Sequence, residues 1–359
     1  MSIKAMIAMS GGVDSSVSAA LMLKAGYDCI GVTMKLYSKP DNMEDDVTGK
    51  TCCSLDDVED ARAVAQKLGM PYYVFNFQDD FSEQVIARFI DTYENGGTPN
   101  PCIDCNRYLK FDRLYNRAKT LGCDKIVTGH YARVERREDG RYLLKKARNT
   151  AKDQSYVLYF LSQEQLSHIC FPLGEYESKD KIRRIAEEYG FVNAHKGDSQ
   201  DICFVPDGDY VSFIENYTGR HYPCGNYCDK NGNILGQHNG VIGYTIGQRK
   251  GLGIALGKPM YVCGKDVCTN TVYLGENEEL FSKELTATNI NLIPFDNIDG
   301  SMKLCAKIRY NQKEQPCTVT QINENTIKII FDQPQRAITK GQAVVLYDGD
   351  IVVGGGVIV

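Results

Sequence analysis

The order of segments in this chain predicts an α/β protein. A doubly wound parallel sheet is followed by a small glycine-rich domain and a C-terminal antiparallel β-barrel. Three observations carry the prediction. Residues 1–160 alternate apolar strand-like runs with helical stripes, the order that builds a parallel sheet covered by helices on both faces. After residue 205 glycine becomes frequent and helical stripes fade. Residues 286–358 then carry short alternating runs separated by turns, the spacing of a small barrel. The implied domains are 1–204, 205–280 and 281–359.

Each element follows from its residues. The apolar run 5–9 reads as a buried strand, Ser10-Gly11-Gly12-Val13-Asp14-Ser15-Ser16 as a turn, and residues 17–23 as a helix. Residues 28–34 form the next buried strand. Leu55, Val58, Ala61, Ala65 and Leu68 fall on one helical face. A strand over 72–77 and a helix over 80–93 follow, then a helix over 106–121 that places Phe111, Leu114, Ala118 and Leu121 together, and a strand over 125–130. Ligands of such folds sit at the carboxyl ends of the strands, so the 10–16 turn, Met34 and Gly129/His130 converge on one crevice. Residues 163–195 read as helical, most clearly 179–189. The stretch 240–253 holds too many glycines for a helix, and the acidic insert 41–46 reads as a mobile loop. The barrel strands are expected at 286–292, 303–310, 317–322, 326–331, 343–347 and 351–358.

Composition narrows the class. The chain has 359 residues, 43% hydrophobic and 24% charged, which suits two or three domains of about 100–200 residues each. No apolar stretch approaches the ~18 residues of a membrane helix, and Ser10-Gly11-Gly12 cuts the N-terminal apolar run too short for a secretory signal. A cytoplasmic protein without membrane contact is expected, with its 14 cysteines held mostly as thiols. The formal net charge of −5 counts against nonspecific nucleic-acid binding but leaves room for a local basic face. Basic clusters occur at Arg107/Lys110/Arg113, 133–148, 179–184, Arg249/Lys250 and Lys303/Lys307/Arg309; any one alone reads as a solvated face.

Two features bear chemistry. In the turn 10–16, paired glycines let a bulky anion approach the backbone, while serine hydroxyls and a helix start supply donors. The turn lacks the G-x-x-x-x-G-K-[ST] pattern of the common P-loop. The second feature is thiols. Cys102 and Cys105 lie in a loop shaped by Gly96, Gly97, Pro99 and Pro101 that feeds a helix, and a helix start lowers the pKa of a thiol such as Cys105. Their C-x-x-C spacing admits a redox dithiol, metal ligands, one catalytic thiol with a bystander, or two inert thiols. Cys203 sits where the α/β region ends. Cys52-Cys53, Cys224/Cys228 and Cys263/Cys268 lack partner pairs at zinc-site spacing and read as structural.

The 10–16 turn resembles the SGGxDS loop of the PP-loop ATP pyrophosphatases, whose fold is adenine nucleotide α-hydrolase-like. The chain as a whole resembles the tRNA-specific 2-thiouridylase family. The resemblance rests on 8–16, Asn100-Pro101-x-x-x-Cys105-Asn106 with Lys110-Phe111, Thr128-Gly129-His130-Tyr131, 152–156, 199–204, 243–251, 307–310 and 341–344. It implies that ATP adenylates O2 of the wobble uridine and that sulfur then displaces AMP. By matching position, Cys203 carries the sulfur as a persulfide and Cys105 frees it through a transient disulfide. Ala8, Met9, Ser10, Gly11, Gly12, Val13, Asp14, Ser15, Met34 and Gly129 would hold ATP, with Asp14 near Mg²⁺. Asn100, Pro101 and Cys102 would line the base pocket. His130, Lys152, Asp153, Gln154, Arg309, Tyr310 and Gln342 would contact tRNA. A persulfide donor protein is the further partner, and the chain would be a monomer or weak dimer. One departure stands out: the family's usual motif has aspartate where this chain has Cys102. Cys102, Cys105 and Cys203 could therefore hold an iron–sulfur cluster. Two other readings compete. A PP-loop ligase acting on a small molecule needs neither Cys105 nor Cys203, and a noncatalytic RNA-binding or metal-storage protein does not need the intact ATP loop.

Overall fold

The computed structural model describes residues 2–37, 55–197, 202–205 and 207–359. The acidic insert 41–46, Cys52, Cys53 and residues 199–201 of the Cys203 motif lie outside them. The chain divides into two compact units. One comprises Met1–Ile86, Pro101–Gly208 and Gly349–Val353, the other Ala87–Asn100, Asp209–Asp348 and Gly354–Val359.

The first unit is built on a parallel sheet. β1 (Lys4–Ala8) buries Ala5, Met6 and Ile7 completely, as expected of a strand covered on both faces. α1 (Val13–Lys24) crosses to β2 (Asp28–Lys35), and α2 (Leu55–Lys67) precedes β3 (Tyr72–Asn76). β4 (Lys125–Val127) pairs with the other side of β1. β5 (Ala132–Arg136) and β6 (Tyr142–Lys146) form a hairpin, and β7 (Ile169–Cys170) completes the sheet in the order β3-β2-β1-β4-β7. The chain thus steps outward from β1 to β3 and returns on the far side at β4. That reversal opens a crevice at the carboxyl ends of β1 and β4. The buried face of α1 packs with Ala61, Val64 and Ala65 of α2 and with Ile182 and Ala186 of the helix Lys179–Glu188 in one apolar core.

The second unit holds β8 (Gly225–Cys228), β9 (Ile234–His238), β10 (Tyr261–Asp266) and β11 (Thr271–Gly275) in the order β10-β11-β8-β9. The expected C-terminal runs become β12 (Phe281–Leu292), β13 (Ser301–Lys307), β14 (Gln315–Asn323), β15 (Thr326–Arg336), β16 (Ala343–Asp348) and β17 (Ile351–Ile358). Their order is β12-β15-β14-β13-β16-β17, and β12 pairs antiparallel with β17 to close the barrel. Alternation fills the interior on β14 and β15: Val319, Ile327 and Ile329 are fully buried while their neighbours are more exposed. The helix Ala87–Glu94 also belongs to this unit; its Tyr93 stacks on Tyr210 at 4.4 Å between ring centres. Among the described residues no helix is long and apolar enough to cross a membrane.

A nucleotide loop braced against a thiol segment

The turn after β1 is held by its own hydrogen bonds. The Met9 amide donates to Val32 O at 2.8 Å, and the Thr33 hydroxyl donates to Met9 O at 2.7 Å. The Ser10 amide donates to Ser15 Oγ at 3.2 Å, and the Ser15 and Ser16 hydroxyls donate to Gly12 O at 3.0 and 3.1 Å. Gly12 is the N-cap of α1 and no side chain caps it, so the first-turn amides are left for an anion. Gly11 has φ +74°, and a Cβ there would stand 2.4 Å from Asp57 O of α2. Gly129, after β4, presses on the same turn: its Cβ would lie 2.8 Å from the Ser15 amide nitrogen. Met34 is buried near the carboxyl end of β2. The turn after β1, Met34 and Gly129 all fall at the carboxyl ends of β1, β2 and β4.

Residues distant in sequence complete the turn. Asp14, in the first turn of α1, accepts from the Tyr131 hydroxyl at 2.7 Å through Oδ1 and from Lys179 Nζ at 2.6 Å through Oδ2. Gln154 fixes Tyr131: the Gln154 amide donates to Tyr131 O at 2.8 Å, and Gln154 Oε1 accepts from the Tyr131 amide at 3.0 Å. Asn193, 3% exposed, donates to Gly11 O at 2.8 Å and Ser16 Oγ at 2.9 Å. Sequence reasoning missed Lys179, Asn193 and this use of Tyr131. The only signal in the chain was Lys179 at the head of a strongly amphipathic run, which reads equally well as a solvated face.

The segment bearing Cys203 is anchored on both sides. Before it, Lys196 Nζ bridges Asp57 Oδ1 at 2.8 Å and Asp60 Oδ2 at 2.6 Å, both on α2. After it, Phe204 packs edge-on against Phe81 at 5.6 Å. Asp57 therefore touches both the nucleotide turn, through its carbonyl, and the Cys203 segment, through its carboxylate. Phe81 lies in the helix Gln78–Phe81, whose Asp80 pairs with Arg113 at 2.8 Å. Arg113 ends the helical stretch that starts with Cys105. Further along, Phe111 packs against the His130 ring at 5.9 Å, next to Gly129. Side-chain contacts thus tie Phe204, the helical stretch that starts with Cys105, and His130 beside Gly129 together within one unit.

The thiol helix differs from the expectation. It begins at Pro101, not at residue 106, and passes into π-type hydrogen bonding over Cys105–Arg113. Proline at the first helical position needs no partner for its missing N–H and has φ preset, so the apparent loop is a helix start. Cys102, exposed, sits in the first turn, and Cys105, partly buried, lies one turn further in. A π segment inside an α-helix is frequent at functional sites. Among the described residues no three His, Cys, Asp or Glu side chains are gathered as a metal site. The donor set for an iron–sulfur cluster at Cys102, Cys105 and Cys203 is therefore not assembled. Asp14 is a single carboxylate beside an anion site, which fits Mg²⁺ carried in on ATP phosphates.

The residues expected at tRNA fall in varied settings. His130 is buried at 8% exposure, with Nδ1 2.7 Å from Thr128 Oγ1. Burial, with Lys110 nearby, holds its pKa well below the usual imidazole value, so it is a neutral packing group and not a surface contact. Asp153 accepts from the Ala147 amide at 2.9 Å and the Ser155 hydroxyl at 2.7 Å, which shapes the half-buried 152–154 turn. In the second unit, Tyr310 is exposed, and Arg309 donates to Ala337 O and to Thr339 Oγ1. Gln342 Nε2 donates to Thr98 O at 2.9 Å and Pro99 O at 3.1 Å, so it grips the segment leading to Asn100. Lys265, its pKa lowered to about 8 by burial, donates to Tyr244 O at 2.7 Å beside the same segment.

Thiol reactivity should follow this geometry. Burial, then Asp28, pushes the Cys29 thiol up to about 11, and burial, then Cys305 and Asp332, pushes Cys317 up to about 12. Brief alkylation of the native protein at pH 8, mapped by mass spectrometry, is expected to label exposed Cys102, Cys224 and Cys268 and to spare Cys29 and Cys317. The thiolate is the reacting form, so a buried thiol with a raised pKa stays inert.

Comparison with known proteins accounts for the whole chain. The family model described as the tRNA methyl transferase HUP domain matches residues 3–207, the tRNA methyl transferase PRC-barrel domain matches 211–276, and the aminomethyltransferase β-barrel domain matches 282–358. Full-length relatives carry a different chemical name. A tRNA-specific 2-thiouridylase MnmA of Clostridioides difficile (strain 630) is 54% identical over 100% of this chain and 98% of its own. Proteins of the same name from Acetivibrio thermocellus and Clostridium acetobutylicum are 52% and 51% identical, over 99% and 100% of this chain and of their own lengths. With end-to-end identity of this order, the chain belongs to the tRNA-specific 2-thiouridylase family.

Proposed function

We propose that the protein is a tRNA-uridine 2-sulfurtransferase that converts ATP to AMP and pyrophosphate. The observation that supports the reading is at Asp57: its carbonyl packs against Gly11 of the turn that would hold ATP, and its carboxylate pairs with Lys196, in the stretch that leads toward Cys203. Adenylation and sulfur delivery need that proximity, since the activated uridine would otherwise be lost to water.

In the first step, uridine O2 attacks the α-phosphorus. The O2–P bond forms, the bond to the bridging oxygen breaks, and pyrophosphate leaves with its electron pair while the N3 proton passes to solvent. The first-turn amides of α1 would bind the phosphates, and Mg²⁺, held beside Asp14, would neutralise charge there. In the second step, the terminal sulfur of a Cys203 persulfide attacks C2, and AMP departs with the C2–O electron pair. The Cys105 thiolate then attacks Cys203 Sγ. The S–S bond to the transferred sulfur breaks, 2-thiouridine is released, and a Cys105–Cys203 disulfide remains for an external thiol reductant. The base must leave the anticodon stack to enter the site, and an unpaired loop base does so at least cost. Asn100, Pro101 and Cys102 would receive it. Arg309, Tyr310 and the 152–154 turn would meet the tRNA backbone, where contacts position without reading sequence. The partners are tRNA and a persulfide donor protein, in the reducing cytoplasm where such thiols persist.

The test is pyrophosphate release with Mg²⁺·ATP, an unmodified tRNA transcript and a persulfide donor, followed by nucleoside mass spectrometry. The expected product is uridine with sulfur in place of oxygen, and release should depend on tRNA. Release driven by a small metabolite without tRNA would favour the ligase reading. A methyl gain in place of sulfur would favour the label carried by the domain models.

A further inference from the structure

We propose that Lys265 is a positioning residue for the target base, its ammonium holding the segment 97–99 in place so that Asn100 meets the uridine. The inference deepens the reading above and rests on it for the identity of the base.

Residues 97–100 belong to no helix or strand, and the carbonyls of Gly97, Thr98 and Pro99 are all taken up by side chains. Gly97 O accepts from Lys265 Nζ at 3.4 Å, and Thr98 O and Pro99 O accept from Gln342 Nε2 at 2.9 and 3.1 Å. Lys265 lies on β10, in register with Val272 of β11, whereas Gln342 immediately precedes β16 of the barrel. The same ammonium donates to Tyr244 O at 2.7 Å, so it ties the segment to the glycine-rich stretch. Tyr244 is a firm anchor: it is buried, and its ring packs edge-on against Tyr227 at 5.5 Å and His238 at 5.4 Å. At the other end there is little slack. The Thr98 amide donates to Lys340 O at 2.8 Å, and a Cβ on Gly97 would stand 2.9 Å from Thr92 Cγ2 and 3.2 Å from Lys340 O.

Charge marks Lys265 out. Burial lowers its pKa to about 8, and among the described residues no carboxylate pairs with it. The adjacent Asp266 carboxylate accepts instead from the Cys268 and Thr269 amides at 2.9 and 3.3 Å. A partly desolvated ammonium facing only neutral carbonyls is unfavourable; an apolar side chain would fill the space more readily, as the fully buried Val262 and Val272 do nearby. The ammonium offsets this with stronger bonds, since a charged donor makes hydrogen bonds roughly twice as strong as a neutral one. Arg309 and Tyr310 would meet the tRNA backbone without this segment, because such contacts do not read the base. Loss of Lys265 therefore separates two quantities. The tRNA still binds, but the base is presented out of place, and a displacement of about 1 Å near reacting groups can cost 10²-fold.

The experiment compares full-length wild type, Lys265→Met, Lys265→Gln and Lys265→Arg. Three quantities are measured: tRNA affinity, pyrophosphate release at saturating tRNA and Mg²⁺·ATP, and deuterium uptake by residues 95–100 without tRNA. Lys265→Met is expected to lower the saturated rate by about 10–10²-fold, to leave tRNA affinity within about twofold of wild type, and to speed deuterium uptake at 95–100. Lys265→Arg restores a charged donor and is expected to recover most of the rate. A Lys265→Met rate within about twofold of wild type would overturn the proposal. So would an arginine variant as slow as the methionine one, or a tRNA affinity that falls with a shallower salt dependence, the mark of a phosphate contact. Should Lys265→Met fold poorly, Lys265→Gln keeps a donor without the charge. A wild-type rate in that variant would overturn the proposal, and a slowed rate at unchanged tRNA affinity would support it. The wild-type response to tRNA tests the sulfur-transfer reading alone. Deuterium uptake judges the hold of Lys265 on the segment whether or not that reading stands, and uptake equal to wild type would refute it.

Discussion

Replacing Cys203 with serine is expected to abolish 2-thiouridine formation, by more than about 10³-fold, while tRNA-dependent pyrophosphate release continues. The two steps separate because adenylation uses the 10–16 turn and no thiol. Cys105→Ser should fail differently. The persulfide on Cys203 can still form and can still attack C2, but nothing resolves the resulting link, so the enzyme should stall after one encounter with tRNA covalently attached through sulfur. Denaturing gels and intact-mass spectrometry distinguish the cases: Cys203→Ser carries no extra sulfur, whereas Cys105→Ser accumulates an RNA adduct. Both cysteines are only partly buried, so the exchange of sulfur for oxygen should cost little stability, of order 0.5 kcal/mol. Full thiolation by either variant with a persulfide donor would refute the assigned relay.

The second large effect is expected at Gly11. Alanine there combines a positive φ of +74° with a Cβ 2.4 Å from Asp57 O. The left-handed backbone alone costs about 1–2 kcal/mol for a residue with a Cβ. The collision adds to it, because Asp57 is backbone of α2 and cannot turn aside as a side chain could. Relief must come from shifting α2 or the turn, and displacement of about 1 Å near reacting groups can cost 10²-fold. Gly11→Ala should therefore lose ATP binding and pyrophosphate release by about that factor or more, with a visible drop in thermal midpoint. Gly26→Ala is the control: φ is +86°, yet nothing lies within 4 Å of the added carbon. It should show the backbone cost alone and keep its activity. Equal loss in both variants would mean that strain, and not the approach of Asp57, governs the turn.

Both expectations draw on parts of the molecule that were legible in different degrees. β1, β2 and β4 could be read because apolar runs buried on both faces leave little ambiguity. The six barrel strands could be read because strict alternation and Asn/Asp/Gly turns mark their ends. The hairpin β5–β6 was missed. Its strands carry Arg133, Glu135, Arg136, Lys145 and Lys146, which mask the alternation, although Asp139-Gly140 between them is a turn signal that could have found it. The start of the thiol helix was hidden because Gly96, Gly97, Pro99 and Pro101 read together as a loop, and only the terminal proline belongs to the helix. The support of the nucleotide turn was invisible for another reason. Asp14 meets Lys179 across 165 residues, and Gly11 meets Asn193 across 182, and no local pattern encodes a partner that far away. His130, which the resemblance places at tRNA, is packed as a buried ring among Phe111 and Phe171.

The helix Ala87–Glu94 and the residues up to Asn100 sit in the middle of the α/β sequence yet belong to the C-terminal body. Phe89 and Tyr93 take their cover from Phe213 and Tyr210, and the amide of Gln342 clasps the carbonyls of Thr98 and Pro99. A truncation near residue 208 would thus strip aromatic rings bare in a fragment that looks self-sufficient on paper. A cut at that point would therefore separate Phe89 and Tyr93 from the rings that cover them.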